Sequence, residues 1–277
     1  MPELPEVETI VRDLNKSLPG KTISDVIVHD VFGLRPTDPS KGTGREAEDF
    51  IRRTKGQAVE RIARRGKAVI MDLASGEFLV IQLMMTGQLV VEGQKDRHTR
   101  VTFIFSDGTR LLYNDQRRFG RLRVSGNLND IKYFSILGPE PFSKEFTADF
   151  MRRAFLKSGR PVKNLLLDHT FVAGIGNIYA CEILFRSRVK PGRRARRISA
   201  AETAAIHSAV REVLKEAITH RGSSMRNYRD GSGNKGRFNE RLAVYARQGL
   251  PCPCCGKPVK RMVQSGRSTF YCGQCQK

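Results

Sequence analysis

A free secondary amine on Pro2 would be an unusual nucleophile. The chain opens Met1-Pro2-Glu3-Leu4-Pro5-Glu6-Val7-Glu8, and removal of Met1, usual before a small second residue, exposes that amine. A backbone α-amine has a reference pKa of about 8 against about 10.4 for lysine, so more of it is neutral and nucleophilic at neutral pH. Glu3 follows directly, a carboxyl placed to protonate a leaving group in the same step. Acidic residues also open many helices because they suit the positive end of the dipole, so these residues alone leave a catalytic and a purely structural N-terminus both open.

The second group is metal chemistry. Cys252 and Cys255 form one C-x2-C pair, sixteen residues intervene, and Cys272 and Cys275 form another. This is the tetrahedral thiolate spacing of a structural zinc site, and four protein ligands leave no open position for a substrate. Cys254 competes with Cys255 by adjacency but lacks the paired spacing. Cys181 lies in a helix-like stretch and reads as a small buried thiol.

Three further stretches are chemically suggestive. Ala173-Gly174-Ile175-Gly176-Asn177 is either a glycine turn between helices or a helix start whose free N–H groups bind phosphate. Arg64-Arg65-Gly66-Lys67 is a basic turn between two strands, and most such charges are simply solvated. Met85, Arg117 and Phe119 lie in loops, where apolar and planar side chains can fill the space left by an extruded base. Met85 can equally be core at a strand end.

The elements that must position these residues follow from periodicity. Val7, Ile10, Val11, Leu14 and Leu18 form one apolar stripe at helical spacing, with Pro5 suited to the first turn. Residues 22–32 alternate as a strand does, a short charged helix is expected at 46–53, and 58–124 read as strands and turns, including the hairpin signal Asp107-Gly108. Short strands at this spacing predict a β-sandwich. Leu137-Gly138-Pro139-Glu140-Pro141 stops both helix and strand. Beyond it the pattern is helical, with a capping box Ser199-x-x-Glu202. The fold class is therefore α+β, divided into 1–136 (β-sandwich with an N-terminal helix), 143–240 (helical) and 241–277 (cysteine module). The Gly-, Ser- and Asn-rich stretch 222–236 is expected to be mobile.

Lysine and arginine number 49 against 28 acidic residues, a net +21 in 277 residues, and the isoelectric point is near 10.2. Such a field favours a polyanion. No long apolar run and no basic N-terminal head point to a membrane or to export, so a cytoplasmic, nucleoid-associated protein is expected. Arg186 to Arg197 carries seven basic residues and no acid, which suits a solvated loop facing nucleic acid.

The octapeptide MPELPEVE, the glycine turn and the ending Arg267-Ser268-Thr269-Phe270-Tyr271-Cys272-Gly273-Gln274-Cys275-Gln276-Lys277 resemble the formamidopyrimidine-DNA glycosylase family, and the resemblance covers the whole chain. It implies a β-sandwich followed by a helix-two-turn-helix domain and a zinc-finger hairpin, with one structural Zn2+. The implied activity is that of a bifunctional glycosylase and abasic-site lyase, a monomer acting on oxidised purines in damaged double-stranded DNA. Pro2 would be the Schiff-base nucleophile, Glu3 the proton donor, Lys67 an aid to elimination and Arg267 a phosphate contact assigned to δ-elimination. His98, Arg118, Arg160, Lys163 and Asn177 would contact DNA. Met85, Arg117 and Phe119 would form the wedge, and 222–236 the loop closing over the everted base. Two rivals are an endonuclease VIII-like enzyme for oxidised pyrimidines, in which glycine typically stands where this chain has Leu4, and a zinc-ribbon DNA-binding protein without catalysis.

Overall fold

The apolar stripe after Pro2 folds as expected, into helix α1 (Leu4–Leu14), and it buries Leu4, Val7, Ile10, Val11 and Leu14. The computed structural model describes residues 1–34, 45–225 and 227–277. These fall into two units, one of residues 1–136 with 220–237 and one of residues 137–219 with 238–277.

In the first unit α1 is followed by β1 (Ile23–Val28), α2 (Glu46–Thr54), β2 (Val59–Arg65), β3 (Ala68–Leu73), β4 (Phe78–Gln82), β5 (Gly87–Val91), β6 (Thr99–Phe105), β7 (Arg110–Asp115), β8 (Arg121–Ser125) and α3 (Lys132–Ser135). The strands make two four-stranded sheets, ordered β1-β6-β7-β5 and β2-β3-β4-β8, with antiparallel pairing throughout. Val69, Leu79 and Ile81 of one sheet share a core with Phe103, Leu111 and Tyr113 of the other and with the α1 stripe. Each fully buried side chain of this kind contributes about 1.5–3 kcal/mol, so the sandwich is a firm seat for α1. The Asp107-Gly108 turn closes β6 onto β7 with Gly108 at φ 86°, a left-handed conformation that glycine adopts without steric penalty.

The second unit contains α4 (Ala148–Leu156), α5 (Val162–Leu166), α6 (Asn177–Arg186) and α7 (Ala200–Thr219), then the hairpin of β9 (Lys260–Gln264) and β10 (Arg267–Tyr271). The capping box opens α7 as predicted: Ser199 N–H donates to Glu202 at 2.8 Å and Glu202 N–H to Ser199 Oγ at 3.2 Å. Cys181 is fully buried, packed with Phe185, Val244, Val259 and Phe270. The cysteine module therefore shares a core with α6 and is not a separate body.

The division of the chain differs from the sequence-based one in a second respect. Residues 220–237, grouped above with the helical segment 143–240, belong to the first unit. The reason is a polar stripe on α1. Glu6, Thr9 and Asp13 recur at i, i+3 and i+7 and are all buried. Glu6 accepts from Ser223 N–H at 2.7 Å, and Asp13 pairs with Arg221 at 2.5 Å.

Candidate active site and metal centre

At the N-terminus, Pro2, Glu3 and Glu6 are all buried. Glu3 is the extended N-cap residue of α1, and its N–H donates to Glu6 Oε2 at 2.8 Å, three residues on, in the manner of a capping box. The terminal amine, carried here by Met1, is held below its ordinary range. Burial is the main cause; Glu3 and Glu6 oppose the shift, and the positive charges of Lys67 and Arg117 reinforce it. Three residues singled out in the sequence, Glu3, Lys67 and Arg117, therefore act on one amine, together with Glu6. A depressed amine is more often neutral, which is the nucleophilic form.

Lys67 reaches this cluster from the turn between β2 and β3, where Arg65 pairs with Ala68 and Gly66 takes φ 59°. Glycine at positive φ in the first central position is what a two-residue hairpin turn requires.

The wedge candidates occupy two loops tied to each other. Asp115, buried at the end of β7, accepts from Thr86 Oγ1 at 2.5 Å, Arg117 N–H at 3.2 Å and Gly120 N–H at 2.7 Å. Arg117 N–H also reaches Thr86 Oγ1 at 2.9 Å. The tips stay in solvent: Met85 is 40% and Phe119 46% exposed, and the Arg117 guanidinium lies 4.6 Å from the Phe119 ring centroid. Exposed apolar and planar groups on a rigid base suit insertion between stacked bases. His98 is half-buried in the loop before β6, its N–H donating to Asp96 at 2.7 Å. Arg118 is exposed and 2.9 Å from Asp30.

Residues 220–237 carry the interactions the sequence did not disclose. Arg221 bridges Asp13 and the fully buried Asp230, at 2.5 Å each. Gly231 N–H donates to Asp13 at 3.2 Å, and Tyr228 Oη to the Glu6 carbonyl at 3.3 Å. Burial, then the Glu6 charge, push the Tyr228 phenol well up, so it stays protonated. The stretch predicted to be mobile is thus anchored to α1 on both sides of Arg226, which lies outside the described residues. The available signal was the acidic pair at positions 6 and 13, seven residues apart on one helix face.

In the second unit, Lys163 of α5 is completely buried. Its ammonium donates to Asn177 Oδ1 at 2.6 Å and Thr269 Oγ1 at 2.7 Å, while Asn177 Nδ2 donates to the Ser268 carbonyl at 2.9 Å. Asn177, the first residue of α6, is half-buried and follows the extended N-cap Gly176. Arg160 is exposed and 2.7 Å from Asp168. Arg267 begins β10 and is exposed, after a turn with Ser265 at φ 49° and Gly266 at φ 72°.

The sulfurs of Cys252, Cys255, Cys272 and Cys275 all lie within 4.8 Å of one another. Cys252 to Cys275 is 3.9 Å and Cys255 to Cys272 is 3.5 Å. A tetrahedral zinc with bonds of about 2.3 Å separates its sulfurs by about 3.8 Å, so the donor set fits one structural Zn2+. Cys254 is exposed and outside the quartet. Glu182 braces the module from α6, accepting from the N–H groups of Ala243, Val244 and Tyr245 at 2.9, 3.0 and 2.8 Å. Burial raises this carboxyl despite those three donors. Among the described residues no helix is long and apolar enough to cross a membrane.

Comparisons with known proteins agree with this architecture. The formamidopyrimidine-DNA glycosylase N-terminal domain matches residues 1–122, the H2TH domain of the same glycosylases 137–229, and the zinc finger found in FPG and IleRS 249–277. A formamidopyrimidine-DNA glycosylase of Roseobacter denitrificans is 40% identical, with all of both chains covered. Among solved structures, the MutM (Fpg) protein of Thermus thermophilus superposes with a TM-score of 0.87 at 40% identity, covering 99% of this chain and 98% of that one. Lactococcus lactis Fpg in complex with DNA containing an abasic site gives 0.89 at 29% identity, with 99% of each chain covered. The class is a DNA glycosylase built as a sandwich, a helical unit and a zinc hairpin. Within it, the chain belongs to the formamidopyrimidine-DNA glycosylase family.

Proposed function

We propose that the chain excises oxidised purines, 8-oxoguanine and formamidopyrimidines, from damaged duplex DNA and then cuts the strand as an abasic-site lyase. The observation that carries this reading is the burial of Pro2 and Glu3 at the start of α1, with the charges of Lys67 and Arg117 acting on the terminal amine beside them. After Met1 is removed, the Pro2 nitrogen attacks C1′ and the base departs with its bonding electrons, taking up the proton that the nitrogen gives up. Glu3 protonates O4′ as the sugar ring opens, leaving an iminium between Pro2 and C1′. The iminium acidifies the C2′ proton; its loss expels the 3′-phosphate, and a second elimination expels the 5′-phosphate. Lys67 assists the eliminations, and Arg267 holds the phosphate that leaves in the second.

Met85, Arg117 and Phe119 occupy the space vacated by the extruded nucleotide, at a stacking cost of a few kcal/mol. His98 contacts the DNA and Arg118, Arg160 and Asn177 hold phosphates, with Lys163 placing its charge one hydrogen bond behind Asn177. Zinc fixes the hairpin that carries Arg267. The enzyme acts as a monomer, and its charge keeps it on DNA in the nucleoid.

Single-turnover excision on duplexes carrying 8-oxoguanine or an oxidised pyrimidine tests the reading. Faster release of the purine, with phosphate at both ends of the gap, is expected. Preferential pyrimidine release would move the chain to the endonuclease VIII-like reading, and binding without cleavage of either would leave a non-catalytic binder.

A further inference from the structure

Lys67 sits on a turn, yet its charge must act at a distance set by another element, α1, which carries the amine. Two contacts outside the assigned machinery fix that turn. Arg64, on β2 and only 9% exposed in its side chain, donates from Nε to Glu8 Oε2 on α1 at 3.0 Å and from an η nitrogen to the Gly66 carbonyl at 2.9 Å. One planar guanidinium thus joins the helix that follows Pro2 to the residue preceding Lys67. On the other side, the Lys67 N–H donates to Tyr133 Oη, on α3, at 3.0 Å. The carbonyl before Lys67 and its own amide are therefore both tied down, and the origin of its side chain is fixed relative to α1. Asn15 adds a parallel tie, donating from Nδ2 to the Ile62 carbonyl at 2.7 Å, so helix and strand stay docked if Arg64 is changed.

We propose that Arg64 and Tyr133 are positioning residues for Lys67, holding its ammonium where it acts on the N-terminal nucleophile. This rests on the reading of Pro2 and Lys67 given above. An arginine suits the role because its rigid fork serves two acceptors at once, which a lysine ammonium on a flexible stem does not reproduce.

The test measures the rate of borohydride trapping on an abasic-site duplex as a function of pH, together with affinity for a duplex carrying a tetrahydrofuran abasic analogue. Full-length wild type, R64K, Y133F and K67Q are compared. The charges acting on the amine are Glu3, Glu6, Lys67 and Arg117. Withdrawing Lys67 leaves the two carboxylates less opposed, so the amine should titrate at higher pH. R64K should trap between about tenfold and a hundredfold more slowly, the range that misplacement by about an ångström can produce. Y133F should be slowed less. Both should move the pH midpoint upward, toward that of K67Q, with analogue affinity within about twofold of wild type. In the double variant R64K/K67Q the losses should not add, as for residues acting through one group.

Slower trapping with an unmoved midpoint, or losses that add to K67Q, would overturn the positioning role. Should R64K fail to fold, Y133F decides alone. A silent K67Q would instead sink the assignment of Lys67 itself, so the two failures are distinguishable.

Discussion

Two lysines, Lys67 and Lys163, show how differently the same side chain is used in the two units. Lys67 stands on a hairpin turn, and its charge is felt at the terminal amine. Lys163 is wholly buried and donates to Asn177 and Thr269. The first perturbs a titrating group; the second fixes a carboxamide and a β-strand. The contrast extends to the surroundings. In the proposed mechanism the amine cluster assembles charges around a group that must change protonation state, whereas the zinc module surrounds its polar groups with bonds that should not change during a reaction. That mechanism concentrates chemistry in the first and placement in the second.

The contrast predicts effects of very different size. Largest is blockage of the amine: a form that retains Met1 turns the Pro2 nitrogen into an amide, and excision should fall by at least about 10^3-fold, as for removal of other nucleophiles. Duplex affinity should remain, measured by fluorescence anisotropy. Next is the metal. Cys272→Ser should release zinc, detected by elemental analysis, and remove much of the roughly 10–16 kcal/mol by which such sites stabilise small zinc modules. Melting of the second unit should broaden and duplex affinity should fall. A variant that binds DNA normally without zinc would contradict the placement role.

Smaller is Lys163→Met, which leaves Asn177 and Thr269 without a donor. A loss of about 1–3 kcal/mol in denaturant unfolding is expected, with weaker duplex binding and an unchanged pH midpoint for trapping. A moved midpoint would erase the distinction between the lysines. Smallest is Glu202→Gln. Hydrogen bonding from Arg193, above all, holds the Glu202 carboxyl down at about 2. A carboxylate depressed on folding contributes stability above its ordinary pKa of about 4.5 and loses it as pH falls through about 2. The pair is partly exposed and screened, so the difference should be under about 1 kcal/mol at neutral pH and vanish in strong acid.

What the sequence disclosed follows the same line. The α1 stripe, the Asp107-Gly108 hairpin, the Ser199–Glu202 box and the cysteine quartet were legible because each depends on neighbours in sequence. The partners of Glu6 and Asp13 were not, since a charged residue on a helix reads as solvated until the segment covering it is known. Ser223, Arg221 and Asp230 supply that cover from more than 200 residues away. Burial of Lys163 was hidden for the same reason, because Thr269 lies 106 positions along the chain. Gly222–Gly236 was misleading in the opposite sense: its composition suggests freedom, while its carboxylate partners lie on a helix read as complete in itself.

The most direct test of the central claim is the site of covalent capture. Borohydride reduction of the enzyme on an 8-oxoguanine duplex, followed by proteolysis and mass spectrometry, should place the sugar adduct on an N-terminal peptide that begins at Pro2. An adduct on Lys67 or another lysine, or excision without an adduct, would contradict the account.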